Sequence, residues 1–316
     1  MKTSLDCLPC LLRQATDAIR LGAKDSSVDV MVVRELLLAS TTLDFDQSPP
    51  QLSGALQAQL RVITGCDDPY REAKQRFNRL ALELLPPLAA AVARSSDPFG
   101  AAVRLAIAGN IIDLGAKSGL TEKEAADTAA NALAQPLLGP LASLRRAAAK
   151  ARRILYLCDN AGEIVFDRVL IEQFPAGRVT VAVRGRAVIN DATREDAAVA
   201  GLPALAEIVD NGSALPGTVL ADCSPEFRRR FAEADLVIAK GQGNFESLLD
   251  EPAPLFCLFR VKCPTVAERC GHPVGSHVVW KARAGHAPRR SPVGRTVPGE
   301  PRLGGTPRPT TGRSAP

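Results

Sequence analysis

Histidine is scarce in this chain of 316 residues: there are three, His272, His277 and His286, all near the C-terminus. Metal sites and proton relays built on several imidazoles are thereby disfavoured. Long apolar runs are missing too. None approaches the roughly 20 residues of a membrane span, and Met1 to Leu12 carries Asp6, Cys7 and Cys10 where a secretory leader would be uniformly apolar. The expectation is a soluble cytoplasmic protein with no membrane partner. Apart from Cys7-Leu8-Pro9-Cys10 the cysteines are scattered singly. That pattern excludes a disulfide scaffold and leaves a zinc site short of its ligands, so Cys7 and Cys10 read as structural or redox-inert thiols.

A net positive charge is likewise missing from most of the chain. The net charge is +5, yet Lys281 to Pro316 holds eight Lys or Arg against one Glu, so residues 1–280 sum to about −2. No aromatic side chain is interleaved among the arginines of that Pro- and Gly-rich stretch, which is expected to be a disordered tail and not a nucleic-acid arm.

What is present divides near residue 150. With 46% hydrophobic residues the chain can bury a large core, and residues 1–150 repeat their apolar positions every three or four residues, as helices do. Asp97-Pro98 opens one expected helix, Phe99 to Leu114, and the capping box Thr121 to Glu124 opens another. Asn110 and Asp113 share a face of the first, a polar pair in an apolar segment that suits either a satisfied buried pair or a site. Thr64 to Tyr70 reads as a turn into a helix with Pro69 at its start.

From residue 152 short β-rich runs alternate with helices, the pattern of βαβ units and a parallel sheet. The expected strands are Ile154 to Leu157, Val179 to Val183, Glu207 to Val209, Leu236 to Ala239 and Leu255 to Phe259. Polar clusters follow: Cys158-Asp159-Asn160-Ala161-Gly162-Glu163 after the first, Asn190-Asp191-Ala192-Thr193 beyond the second, Asp210-Asn211-Gly212-Ser213 after the third, and Lys240-Gly241-Gln242-Gly243-Asn244 after the fourth. Parallel strands bring their carboxyl ends to one edge, where open α/β sheets bind ligands. Asp159, Asn160 and Asp191 offer hard oxygens, which favour Mg²⁺ or Mn²⁺ over zinc. Lys240, with the backbone of Gly241 and Gly243, suits an anionic oxygen. Taken singly, each fragment also suits a helix cap or a tight strand-to-helix connection.

On Cys7-x-x-Cys10, Asp68-Pro69-Tyr70, Gly109-Asn110-Ile111-Ile112-Asp113, Asp159-Asn160-Ala161-Gly162-Glu163, Asn190-Asp191-Ala192-Thr193 and Lys240-Gly241-Gln242-Gly243-Asn244, the chain resembles the metal-dependent damage-control phosphatases, domain of unknown function family 89, in their compact prokaryotic form. The resemblance spans about residues 1 to 280. It implies an N-terminal all-helical domain (1–150), a C-terminal Rossmann-like α/β domain with a mainly parallel sheet (151–280), and a tail (281–316) beyond the usual end near Trp280. It further implies a divalent ion on Asp159, Asn160 and Asp191, with Mg²⁺ or Mn²⁺ first and Co²⁺ or Ni²⁺ as further candidates. Asn110, Asp113, Gly241, Gly243 and Asn244 would meet the substrate, and Lys240 would lie near its phosphate. The implied substrates are small phosphorylated metabolites, sugar phosphates or damaged phosphometabolites.

A phosphate monoester resists attack because its oxygens are negative, so the enzyme must neutralise them and place the nucleophile. Water activated by the divalent ion and oriented by Asp159 or Asp191 is the expected nucleophile; an aspartyl-phosphate on Asp159 is the alternative, disfavoured because Ala161 stands where a second acid is expected. The rival functions are an S-adenosylmethionine-dependent methyltransferase, which would want more glycines after the first strand than Gly162, and a non-catalytic metal-binding adaptor. Oligomeric state leaves no mark in the sequence.

Overall fold

A computed structural model describes residues 1–22, 26–109, 131 and 133–282. Five helices come first: α1 (Cys7–Gly22), α2 (Ser26–Ser40), α3 (Pro49–Thr64), α4 (Arg71–Ala93) and α5 (Pro98–Ala108). The starts of α3 and α5 follow from local chemistry. The Ser48 amide donates to Gln51 Oε1 at 3.0 Å ahead of Pro49, and the Asp97 carboxylate accepts the Gly100 amide at 3.0 Å ahead of Pro98, so exposed helix-end groups are satisfied by side chains. Asn110, Asp113 and the capping box at Thr121 to Glu124 lie outside the described residues, as do residues 283–316.

Then come β1 (Leu137–Leu138), α6 (Leu141–Lys150), β2 (Ile154–Leu157), α7 (Glu163–Ile171), β3 (Val179–Val183), α8 (Arg194–Val199), β4 (Glu207–Asp210), α9 (Pro225–Glu233), β5 (Leu236–Lys240), α10 (Gly241–Leu248), β6 (Leu255–Arg260), α11 (Pro264–Cys270) and β7 (His277–Lys281). All five expected strands form, within a residue at their ends. Two more join them: β1, too short to carry a period, and β7, which ends one residue past Trp280. The fold is mixed α/β, with a helical N-terminal region and one sheet in the order β1-β7-β6-β5-β2-β3-β4, parallel except where β6 meets β7.

Successive strand residues point to opposite faces, and both faces of this sheet are covered. Ile154, Tyr156 and Ile238 join the cluster that contains Leu105 and Ala106 of α5, Phe77 of α4 and Ile164 and Val165 of α7. Leu155, Leu157 and Val237 join Phe227 and Phe231 of α9 and Phe245 of α10 on the other side. Helices from the N-terminal region thus form part of one layer against the sheet, and this brings α4 and α5 over α7, directly behind the loop that ends β2. No described helix is long and apolar enough to cross a membrane.

Candidate active site

The chain runs from β2 outward to β3 and β4, then returns to the other side of β2 as β5. At such a reversal the loops after the two central strands diverge and leave a crevice at their carboxyl ends. The loop after β2 and the start of α10 after β5 border that crevice.

The β2 loop is pinned from three directions. Ala161 donates its amide to Asn190 O at 2.9 Å, Ala192 donates to Asp159 O at 2.8 Å, and Asn160 and Asp191 form an isolated antiparallel bridge. Two chain segments far apart in sequence are therefore stitched together where Asp159, Asn160 and Asp191 lie. Gly162 has φ of 75°, and a Cβ there would press on Phe77 of α4. Its amide donates to Asn78 Oδ1 at 2.7 Å, so the helical region holds this turn directly. Asn78 also donates to Asp196 (2.8 Å), and Lys74 pairs with Asp68 at 2.8 Å, which gives the Asp68-Pro69-Tyr70 turn a bracing role. Beside Asp191, Ile189 is held at φ of 47°, an uncommon conformation for a β-branched residue and a mark of local strain at a site.

Asp159, Asn160 and Asp191 are each at most 7% exposed, and all three line one open cavity of about 340 Å³. Arg184 Nε donates to Asp191 Oδ2 at 2.6 Å and fixes that carboxylate. Burial pushes the Asp159 carboxyl well above the usual range, and the neighbouring carboxylates of Glu163 and Asp191 add to the shift. Burial also raises Asp191, against the pull of Arg184. Negative groups gathered this closely call for a cation. Among the described residues no group of three or more His, Cys, Asp or Glu is arranged to hold a metal ion; this set instead offers two carboxylates and one carboxamide. That donor chemistry fits a hard ion of the Mg²⁺ type, which binds through one or two carboxylates and completes its shell with water and substrate oxygens.

The residues after β5 divide into different roles. Gly241 sits at φ of 80°, and a Cβ on it would run into the Asp159 carboxylate, so glycine is required for close approach. Gly243 lines the cavity. Asn244 has no exposed surface: its Nδ2 donates to Lys240 O (2.7 Å) and Cys158 O (3.2 Å), and its Oδ1 accepts from Thr218 and Arg184, so it ties the two strand ends together. Lys240 departs from the expected phosphate contact. It is fully buried, and Nζ donates to Ala106 O (2.6 Å), Glu163 Oε1 (2.7 Å) and Asp167 Oδ1 (2.6 Å). Three donors meet three acceptors, and none is left for a substrate. Burial works against its charge, but Asp167 and Glu163 outweigh burial and hold its pKa above the ordinary value. Burial lifts Asp167 to about 6 despite Lys240.

Residues that the sequence reading passed over complete the cavity wall. Lys262, two residues past β6, is its one lining Lys or Arg among the described residues, and its Nζ has no partner among them. Its charge bears on Asp159 and on Glu246. Glu246 is 8% exposed; burial raises its carboxyl to about 7, and Gln242 Nε2 donates to its Oε1 at 2.8 Å. Cys7 and Cys10 line the cavity as well, joined by Cys263, and burial raises the thiol pKa of Cys10 and Cys263. The signal for Lys262 was the same as for the other clusters, a polar residue after a parallel strand.

A family model described as the damage-control phosphatase ARMT1-like domain matches residues 3–278. The chain belongs to this family. Curated relatives in the archaea agree: a damage-control phosphatase of Archaeoglobus fulgidus is 34% identical over 284 residues, covering 88% of this chain and 98% of the relative. A damage-control phosphatase of Pyrococcus horikoshii is 32% identical over 290 residues, covering 89% and 98%. The crystal structure of a DUF89 family protein from Pyrococcus horikoshii superposes with a TM-score of 0.81 at 30% identity, covering 90% of this chain and all of that one.

Proposed function

We propose that the protein is a divalent-metal-dependent phosphatase acting on phosphate monoesters of small metabolites, with sugar phosphates or damaged phosphometabolites as substrates. The observation that carries this reading is the convergence of Asp159, Asn160 and Asp191 on one cavity at the reversal point of the sheet. Family membership and the relatives' names support it. Asp159, Asn160 and Asp191 would hold the ion, which when bound neutralises phosphate oxygens and activates water at neutral pH.

The chain's own residues supply the rest. Arg184 holds one oxygen of Asp191 and so fixes how the other is presented. Lys262 is the side chain placed to offset the phosphate's remaining charge, in place of Lys240. Glu246, with Oε1 fixed by Gln242, retains a proton near neutral pH that Oε2 can give to the departing ester oxygen. Asn110 and Asp113 are proposed to complete the substrate contacts from the segment beyond α5.

The test is a panel of sugar phosphates and phosphorylated cofactor fragments assayed with Mg²⁺, Mn²⁺, Co²⁺ or Ni²⁺ and again with chelator. Metal-dependent release of phosphate is the expected result. Full activity in excess chelator, or no hydrolysis of any monoester with any ion, would refute the proposal.

A further inference from the structure

The buried charges behind the cavity bear on how the site presents its oxygens. Asn160 has one carboxamide oxygen and one nitrogen of nearly equal size, and which of them faces the cavity depends on what accepts the N–H groups. Nδ2 donates to Asp159 Oδ2 at 2.8 Å and to Glu163 Oε2 at 3.2 Å. Both are carboxylate oxygens. Oδ1 accepts no hydrogen bond among the described residues, and Asn160 lines the cavity. Glu163, the first residue of α7 and 2% exposed, is itself fixed, because Lys240 Nζ donates to its other oxygen at 2.7 Å.

We propose that Glu163 is a positioning residue of the metal site: held by Lys240, it orients the Asn160 carboxamide so that Oδ1, not Nδ2, faces the cavity. Asp159 cannot do this alone, because a carboxylate that turns its oxygens to an ion gives up part of its capacity to accept from Asn160. Glu163 is the acceptor that stays. The chain of contacts runs from Ala106 O on α5 through Lys240 and Glu163 to Asn160, so the helical region is coupled to the orientation of one ligand. This inference rests on the divalent-metal reading.

The test uses the full chain, Mn²⁺ titration calorimetry and melting curves. Glu163→Gln leaves one oxygen where there were two. The ammonium of Lys240 claims it, an amide NH₂ then opposes Asn160 Nδ2, and the Asn160 carboxamide turns over. Mn²⁺ affinity is expected to fall about 10- to 100-fold, the usual range for partners behind a ligand. In Glu163→Gln/Lys240→Met the competing ammonium is gone, the glutamine oxygen can accept from Asn160, and most of the lost affinity should return. Parent-like Mn²⁺ affinity in Glu163→Gln would overturn the proposal, and so would a double variant that binds no better than the single one. A parent protein that takes up no Mn²⁺ would instead overturn the metal reading itself.

Discussion

Two lysines at the carboxyl ends of neighbouring parallel strands have opposite duties. Lys240 closes β5 and is wholly buried; Lys262 lies just beyond β6 with its ammonium unpartnered among the described residues and beside the cavity. The pleat explains the difference. Lys240 is two residues from Ile238 and therefore shares its face, the one that α5 and α7 cover. Glu163 and Asp167 of α7 meet it there, and its charge becomes part of the interior. Lys262 comes after the strand has ended at Arg260, and its side chain is exposed at the cavity. A charged residue at a strand end thus serves the site or the fold according to the face on which it falls.

The comparison breaks most visibly at Lys240. Lys240→Met leaves Glu163 and Asp167 buried without their cation, and breaking a buried pair in this way costs about 3 to 5 kcal/mol. The melting temperature should drop by several degrees, and a parent-like melting curve would show that the three-acceptor cluster is not what holds this lysine. Next comes the opposite case, Asp159→Ala, which removes a proposed ligand and relieves crowded negative charge. Turnover with Mn²⁺ should fall at least about a hundredfold while the melting temperature holds or rises. Loss of fold together with loss of activity would put Asp159 among the structural groups.

Much of the architecture was legible in the residues. The five expected strands announced themselves as apolar runs bounded by turns, and the helix start at Asp97-Pro98 follows from capping chemistry, whereas α4 opens at Arg71, two residues past Pro69, with no side-chain cap at Tyr70. The grouping of Asp159, Asn160 and Asp191 followed from parallel topology alone. What stayed hidden depended on pairing and depth. Leu137–Leu138 is a strand only because β7 lies beside it. Lys240 and Asn244 carried the right residue types for a ligand site, and only the folded packing shows that Lys240 is spent on α5 and α7 and Asn244 on Cys158 O, Lys240 O, Thr218 and Arg184. Lys262 was missed because Arg260-Val261-Lys262 lacks the glycines that drew attention to the cluster after β5.

Lys262 sharpens the comparison from the cavity side. Lys262→Met removes a charge proposed to meet phosphate, and a hydrogen bond to a charged group contributes about 1.5 to 3 kcal/mol. KM should rise about tenfold or more with the melting temperature unchanged, the reverse of the pattern for Lys240→Met. If KM stays at the parent value while kcat and folding are also unaffected, the phosphate is held elsewhere.

The smallest effect expected is in the pH dependence of stability at Glu246. Its carboxyl is raised from 4.5 to about 7, chiefly by burial, with Gln242, the Met1 ammonium and Lys262 pulling the other way. Cys10 and Cys263 also stand near it, with burial raising both thiols. The folded protein therefore binds more protons than the unfolded chain between 4.5 and about 7. Stability from this group is complete below that window and is lost as pH rises through it. Glu246→Gln cannot ionise and should remove that part of the decline. Asp159 and Asp167 are raised too, but they remain in both proteins and cancel in the difference. Thermal midpoints of parent and variant at about pH 5 and about pH 8 decide the matter: the gap should move in favour of the glutamine variant at the higher pH. A gap that does not change with pH would show that Glu246 ionises in its ordinary range and is no proton source for the cavity.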